Sequence, residues 1–166
     1  MKQGIERAVD LVGRAASWLA LVIVVLMSVN VVLRYLFSIG SVWAQELEWH
    51  LLTPLILFGI PYALLKGEHV RVDVLYADFS ERNKLLVDIV SQVLGIAIAV
   101  AFVWLSLAYV QQSFVIDEKS PDPGGLEHRW VLKALIPAGF LLLALQSLAT
   151  LLGVVARLRR LRKAAP

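Results

Sequence analysis

Residues 89–116 read IVSQVLGIAIAVAFVWLSLAYVQQSFVI, and this run contains no Lys, Arg, Asp, Glu or His. A bilayer core of about 30 Å is crossed by roughly 20 apolar residues in a helix, so this run is long enough to span a membrane. Three further uncharged runs lie at residues 15–33, 51–65 and 134–156. Together the four runs predict an all-α membrane protein with four transmembrane helices.

The four runs fill most of the chain, and we predict one transmembrane domain over residues 1–166. Its spans are predicted at about residues 15–36, 48–66, 86–116 and 132–156, followed by a basic cytoplasmic tail at residues 157–166. The second uncharged run is the shortest, so its helix has to borrow residues that precede it or tilt in the bilayer.

A short amphipathic helix is predicted at about residues 41–49, between the first and second spans. Trp43 and Leu47 share one helical face, whereas Glu46 and Glu48 lie on other faces. A helix with such a division is typical of one that lies in the membrane surface. We therefore expect an interfacial helix before the chain turns into the bilayer.

Composition agrees with a membrane protein. Hydrophobic residues make up 59% of the chain, whereas globular domains are about 45–50% apolar. This leaves no room for a separate soluble domain. The chain has no cysteine, so a disulfide framework and a thiolate metal site are both excluded.

The Lys and Arg residues are distributed unequally between the two sides of the predicted spans. With four spans, both termini and the middle loop share one side, and that side holds 12 of the 16 cations. Cytoplasmic segments carry the excess of Lys and Arg. We therefore predict that both termini lie in the cytoplasm. The basic tail is expected to meet anionic lipid headgroups, and no nucleic-acid partner is predicted.

The span interiors carry few polar groups. Asn30, Gln92 and Gln146 are the main ones, and amides at such positions form hydrogen bonds between helices. A transport route through the chain would usually keep an ionisable or unwound position inside the bilayer. The uncharged interiors therefore favour a component that supports another protein.

Small residues and prolines mark two of the helices. Ser91, Gly95 and Ala99 recur every four residues in the third span, which suits packing within the bundle or against a partner helix. Pro54 and Pro61 predict a bend or a local unwinding of the second span, because each proline removes a backbone hydrogen bond.

Two alternatives follow from other features of the chain. His50, His69 and His128 could suggest the haem ligands of a b-type cytochrome-like membrane anchor of a redox enzyme. The predicted topology places His69 on the opposite side from the other two, and Glu46 with His50 supplies only two potential metal ligands. We therefore predict no metal, no cofactor and no catalytic residue. The other alternative is a self-contained four-span exporter.

Five short motifs follow one another along the chain. They are Arg34-Tyr35-x-Phe37, Trp43-x-x-Glu46-Leu47, Gly67-x-His69-Val70-Arg71-Val72-Asp73, the turn at residues 120–125 with Arg129-Trp130, and Ile136-Pro137-x-Gly139-Phe140. In this order on a four-span chain, they resemble the small membrane subunit of tripartite ATP-independent periplasmic (TRAP) transporters. The resemblance extends over residues 34–140.

The resemblance implies a small scaffold subunit of a sodium-coupled secondary transporter for organic anions, with carboxylates as the expected class. In that family a large multi-span subunit carries the substrate and sodium sites, and a soluble periplasmic protein binds and delivers the substrate. The small subunit anchors the immobile part of the carrier in the membrane lipids, and the resemblance implies a location in the bacterial inner membrane. The chain is accordingly not expected to be an enzyme.

Eight residues are predicted to contact a partner or the membrane interface. They are Arg34, Tyr35, Trp43, Glu46, Glu48, His69, Arg71 and Asp73. Arg34 is expected to reach Glu46 or Glu48, because a long basic side chain at a span end extends toward the membrane surface.

Overall fold

A computed structural model describes residues 2–68 and 79–164 and contains four long helices in these ranges. They are α1 (Lys2–Phe37), α2 (Val42–Lys66), α3 (Glu81–Val115) and α4 (Arg129–Ala164). All four are long and apolar enough to cross a membrane. The predicted all-α fold with four long apolar helices is confirmed, and no strand occurs among the described residues.

Three of the helices are longer than a bilayer crossing requires. A helix of 36 residues, the length of α1, measures about 54 Å at about 1.5 Å per residue. The hydrocarbon core is only about 30 Å thick. The charged first turns of α1 and the basic last turns of α4 therefore have room to extend beyond the apolar region.

The separate interfacial helix predicted at residues 41–49 is not found in the described chain. Ser41 caps α2, since its Oγ accepts a hydrogen bond from the Ala44 N–H at 3.3 Å. From Val42 the helix continues without a break to Lys66. No Pro or Gly lies between Val42 and Thr53, so nothing separates the amphipathic turns from the apolar ones.

Helix α2 also remains helical through Pro54 and Pro61. Local unwinding, one of the two outcomes predicted for these prolines, is therefore absent, and a bend stays a prediction. Neighbouring helices and adjacent backbone groups allow proline inside membrane helices. Pro61 is fully buried, so its ring serves as a packing group.

Helices α3 and α4 make the most extensive contact in the bundle. Ala99 of α3 is fully buried. A Cβ atom added to Gly95 would lie 3.6 Å from Ser147 Oγ of α4. Gly95 and Ala99 therefore pack within the bundle, which is one of the two roles predicted for the small residues.

Polar side chains are buried among the helices as well. Gln92, Gln146 and Ser147 are each almost inaccessible. Gln146 Nε2 donates to Thr150 Oγ1 at 3.3 Å, within α4 and not between helices. Asn30 is the predicted amide that does join two helices, through Glu48 of α2.

We expect Gly13→Ala to destabilise the packing of α1 on α2. A Cβ atom at Gly13 would overlap the Tyr62 side chain, and forcing extra atoms into a packed site costs about 1–3 kcal/mol. Gly59→Ala is the matched control, because a Cβ atom there meets nothing within 4 Å. Thermal unfolding in mild detergent measures both. A midpoint for Gly13→Ala at or above that of Gly59→Ala would contradict the close approach.

Candidate functional site

The Glu46 carboxylate lies in the second turn of α2 and is the most buried charge described, with 5% of the residue exposed. Its Oε1 accepts hydrogen bonds from Ser120 Oγ and from Arg129 Nη2, the latter at 3.2 Å. Its Oε2 accepts the Leu126 N–H at 2.5 Å. A buried carboxylate is stable only when paired and hydrogen-bonded in this way. Glu46 therefore ties α2 to the connection between α3 and α4.

The turn at residues 120–125 is shaped to close over this carboxylate. The Ser120 N–H donates to Leu126 O at 3.0 Å, and the Gly125 N–H donates to Asp122 O at 3.0 Å. A Cβ atom on Gly125 would lie 2.7 Å from Glu46 Oε2 and would overlap Ser120. The predicted turn is present, and Gly125 permits its close contact with Glu46.

Arg129 begins α4 and contacts both α2 and the preceding connection. Its guanidinium lies 5.5 Å from the centre of the Trp49 ring, within cation–π range. Its backbone N–H donates to Glu118 O at 3.0 Å. His50 completes the α2 side of the cluster, with Nδ1 at 2.7 Å from Glu46 O.

A second ion pair lies beside the first. Lys133 of α4 binds the Glu118 carboxylate, and only 13% of the Lys133 side chain is exposed. Lys133 Nζ also lies 3.9 Å from the centre of the Tyr109 ring of α3. The hydrogen bond from Lys133 is the main reason that the pKa of the Glu118 carboxyl lies below its ordinary value. The two pairs together fix α2, α3 and α4 at one end of the bundle, and we call them the Glu46 and Glu118 ion pairs.

Comparison with known families identifies the chain. Residues 23–157 match the sequence model of the family described as tripartite ATP-independent periplasmic transporters, DctQ component. The match covers well over half of the chain. This protein belongs to the DctQ family. Comparison with individually curated proteins gives no match.

The resemblance to the small TRAP subunit is thereby confirmed. A DctQ protein is a transporter component of a membrane family and not a member of an enzyme family. With four candidate spans, the chain is a multi-pass membrane protein. The matched residues include the whole of α2 and α3, so both ion pairs lie inside the DctQ region.

The predicted contact residues are placed in different surroundings. Glu46 pairs with Arg129, and Glu48 Oε1 accepts from Asn30 Nδ2 of α1 at 3.0 Å. Within residues 2–68 and 79–164, Arg34 makes no ion pair, so the expected contact of Arg34 with Glu46 or Glu48 is not formed. Glu46 therefore pairs with Arg129, which helix packing brings close, and not with Arg34, which is nearer in sequence.

Tyr35 and Trp43 lie on the outer surface, with exposed fractions of 80% and 49%. His69, Arg71 and Asp73 lie outside the described residues. In the part of the chain that the structure describes, no group of three or more His, Asp or Glu residues could hold a metal ion.

Sequence reasoning did not identify Arg129, Ser120 and Leu126 as the partners of Glu46, nor the contact between Glu118 and Lys133. The sequence did contain a signal for the partners of Glu46. Ser120 and Arg129 belong to a motif of the DctQ resemblance and share the side of the membrane predicted for Glu46. A near-buried carboxylate on that side needs a cation, which makes Arg129 a candidate.

The other end of the bundle carries its own ion cluster. Asp10 of α1 binds Arg14 at 2.7 Å and Lys66 of α2 at 2.6 Å. Helices α1 and α2 are thus joined near both ends, by Asp10 with Lys66 and by Asn30 with Glu48. These contacts hold the antiparallel pair in one register.

Proposed function

We propose that this chain is the scaffold subunit of a sodium-coupled TRAP transporter for organic anions, with carboxylates as the expected substrates. A large multi-span subunit would carry the substrate and sodium sites, and a periplasmic protein would deliver the substrate. The family match to the DctQ component is the observation that carries the proposal. Recognition of the transported solute is assigned to the partner proteins.

The use of charges in the bundle supports a scaffold role. Glu46, Glu118 and Asp10 each bind a cation that belongs to another segment of the same chain. The uncharged middle of each helix is continuous, without the unwound backbone that builds ion sites in transporters. These three carboxylates thus serve to hold segments of the bundle together.

The partner surface is proposed to include Arg34, Tyr35, Trp43 and Glu48. Tyr35 and Trp43 are exposed on adjoining parts of α1 and α2, and aromatic residues are enriched at contacts between proteins. Arg34 is free to meet an acidic group, since it has no ion pair among the described residues. The loop residues His69, Arg71 and Asp73 are proposed as contacts on the other side of the membrane.

Reconstitution tests the proposed function. Vesicles with this chain, the large subunit and the periplasmic protein are expected to take up a carboxylate when a sodium gradient is applied. Omitting this chain should reduce uptake to background, because the large subunit would lack its anchor. The control contains this chain alone and should show no flux. Carboxylate or cation flux through the chain alone would contradict the scaffold assignment.

Both termini are proposed to be cytoplasmic, in the bacterial inner membrane, which places the Glu46 ion pair on the periplasmic side. The chain has no native cysteine, so single cysteines report topology directly. We expect Glu127→Cys to react with a membrane-impermeant maleimide in intact cells. Lys163→Cys should react only after the inner membrane is permeabilised. The reverse pattern would contradict the orientation.

A further inference from the structure

A cavity of about 220 Å³ lies beside the two ion pairs, between α2, α3 and α4. Trp49 and Tyr109 form two of its walls, and Glu118, Arg129 and Lys133 supply its charges. The Glu46 and Glu118 ion pairs account for the stability of this region, but they do not account for an open space next to it.

The two cations have more hydrogen-bond donors than acceptors. A guanidinium carries five N–H donors and an ammonium three. The Arg129 side chain lines the cavity and makes one hydrogen bond in the described structure, to Glu46, so most of its guanidinium donors have no acceptor there. Lys133 donates to Glu118 and lies over the Tyr109 ring. The cavity therefore suits a ligand with several acceptor oxygens, such as a phosphate group.

Charge balance narrows the class of ligand. Glu46 and Glu118 already offset Arg129 and Lys133, so a dianionic phosphate would leave two uncompensated charges in a half-buried site. A phosphodiester with one negative charge, carried by a molecule that also has an ammonium group, adds no net charge. Glu118 is half-buried and can accept a hydrogen bond from that ammonium.

The position of the cavity favours a lipid as the molecule that carries the phosphodiester and the ammonium group. Trp49 and Tyr109 each lie about two turns from an end of their helix. Aromatic residues near the ends of membrane-spanning helices are enriched at the level of the lipid headgroups. Leu132 and Ile136 line the remaining wall along α4. Acyl chains attached to a headgroup in the cavity would continue over this apolar side.

We propose that the cavity binds the headgroup of a zwitterionic phospholipid with a primary ammonium, its phosphodiester against Arg129 and Lys133 and its ammonium against Glu118. The lipid would act as a further connection between α2, α3 and α4. The proposal requires the chain to lie in a membrane and does not depend on which solute is transported.

Native mass spectrometry of the purified full-length chain tests the site with defined lipids. We expect phosphatidylethanolamine to remain bound at least about fivefold more than phosphatidylcholine or phosphatidylglycerol, because only the first pairs a phosphodiester with a small ammonium. The same lipid should raise the thermal midpoint. Equal retention of the three lipids, or equal protection by inorganic phosphate alone, would overturn the proposal.

Two variants locate the lipid. Lys133→Met removes the donors and keeps an unbranched side chain of similar size, whereas Thr53→Phe fills the cavity and keeps every charge. Thr53 Oγ1 only bonds Trp49 O of its own helix, so its replacement should leave the fold intact. Both variants should lose at least about fivefold in phosphatidylethanolamine retention.

Lys119→Met is the matched control, since Lys119 is an exposed lysine in the connection between α3 and α4 and does not line the cavity. It should retain the lipid as the unmodified chain does. Unchanged retention in a folded Thr53→Phe protein would overturn the assignment, and an equal loss in Lys119→Met would do the same.

Discussion

Replacing Glu46 with Gln is expected to lower the thermal midpoint of the protein by on the order of 10 °C, the cost of breaking a buried ion pair in a chain of this size. Ser120, Leu126 and Arg129 all donate to the two carboxylate oxygens. A Gln side chain keeps only one acceptor oxygen. Its NH₂ group replaces the second oxygen and places a donor opposite another donor. Arg129 would also lose its counter-ion.

Glu48→Gln is the matched control, because Glu48 lies on the same helix and accepts a hydrogen bond only from the neutral Asn30 in the described structure. An amide oxygen serves that bond as well as a carboxylate does, so the midpoint should fall by about 2 °C or less. Thermal unfolding in mild detergent measures both variants. Equal decreases would show that the network at Glu46 has no special role.

Combining Glu46→Gln with Arg129→Met separates the ion pair from the other hydrogen bonds. The double variant has no unpaired buried charge, so it should be more stable than Glu46→Gln alone. The remaining deficit would come from Ser120 and Leu126. If the two substitutions simply added, Arg129 and Glu46 would not be coupled, and the network would have to be reassigned.

The four helices could be predicted from the sequence because length and charge set them. A run such as residues 89–116 contains no charged side chain, so it can lie in lipid. Its backbone N–H and C=O groups must then form hydrogen bonds within the segment, which requires a helix. The separate interfacial helix predicted at residues 41–49 was wrong, because an amphipathic pattern does not show which surface its polar residues meet. An amphipathic pattern at residues 42–49 suits a helix lying on a membrane, but here its polar residue Glu46 faces the connection from α3.

The partners of Glu46 depend on tertiary packing. Arg34 lies 12 positions before Glu46 in the chain, whereas Arg129 lies 83 positions after it. Sequence proximity therefore favours Arg34. Only the packing of α2 against α4 brings Arg129 within 3.2 Å of the carboxylate. The spacing of residues along the sequence does not predict this contact.

Gly125→Ala is expected to be the most damaging small substitution in the connection between α3 and α4. The added methyl would lie 2.7 Å from Glu46 Oε2 and would overlap Ser120. Either the turn or the carboxylate has to move, and overpacking of this kind costs about 1–3 kcal/mol. Since a shift of the turn also weakens the bond from the Leu126 N–H, the midpoint should fall by on the order of 5 °C.

Gly40→Ala provides the control at a loop glycine, because a Cβ atom at Gly40 meets nothing within 4 Å. Its midpoint should stay within about 1–2 °C of the unmodified protein, as is usual for surface changes. Loss of stability at both glycines would indicate a general intolerance of loop substitutions and not a contact with Glu46.

The decisive comparison repeats Gly125→Ala in a Glu46→Ala background. Without the carboxylate, the new methyl at Gly125 meets only Ser120, so the additional decrease in midpoint should be clearly smaller than in the unmodified protein. Residues in direct contact show such non-additive effects. Fully additive decreases would mean that Gly125 is required by the turn itself, and that the turn would close without the carboxylate beneath it.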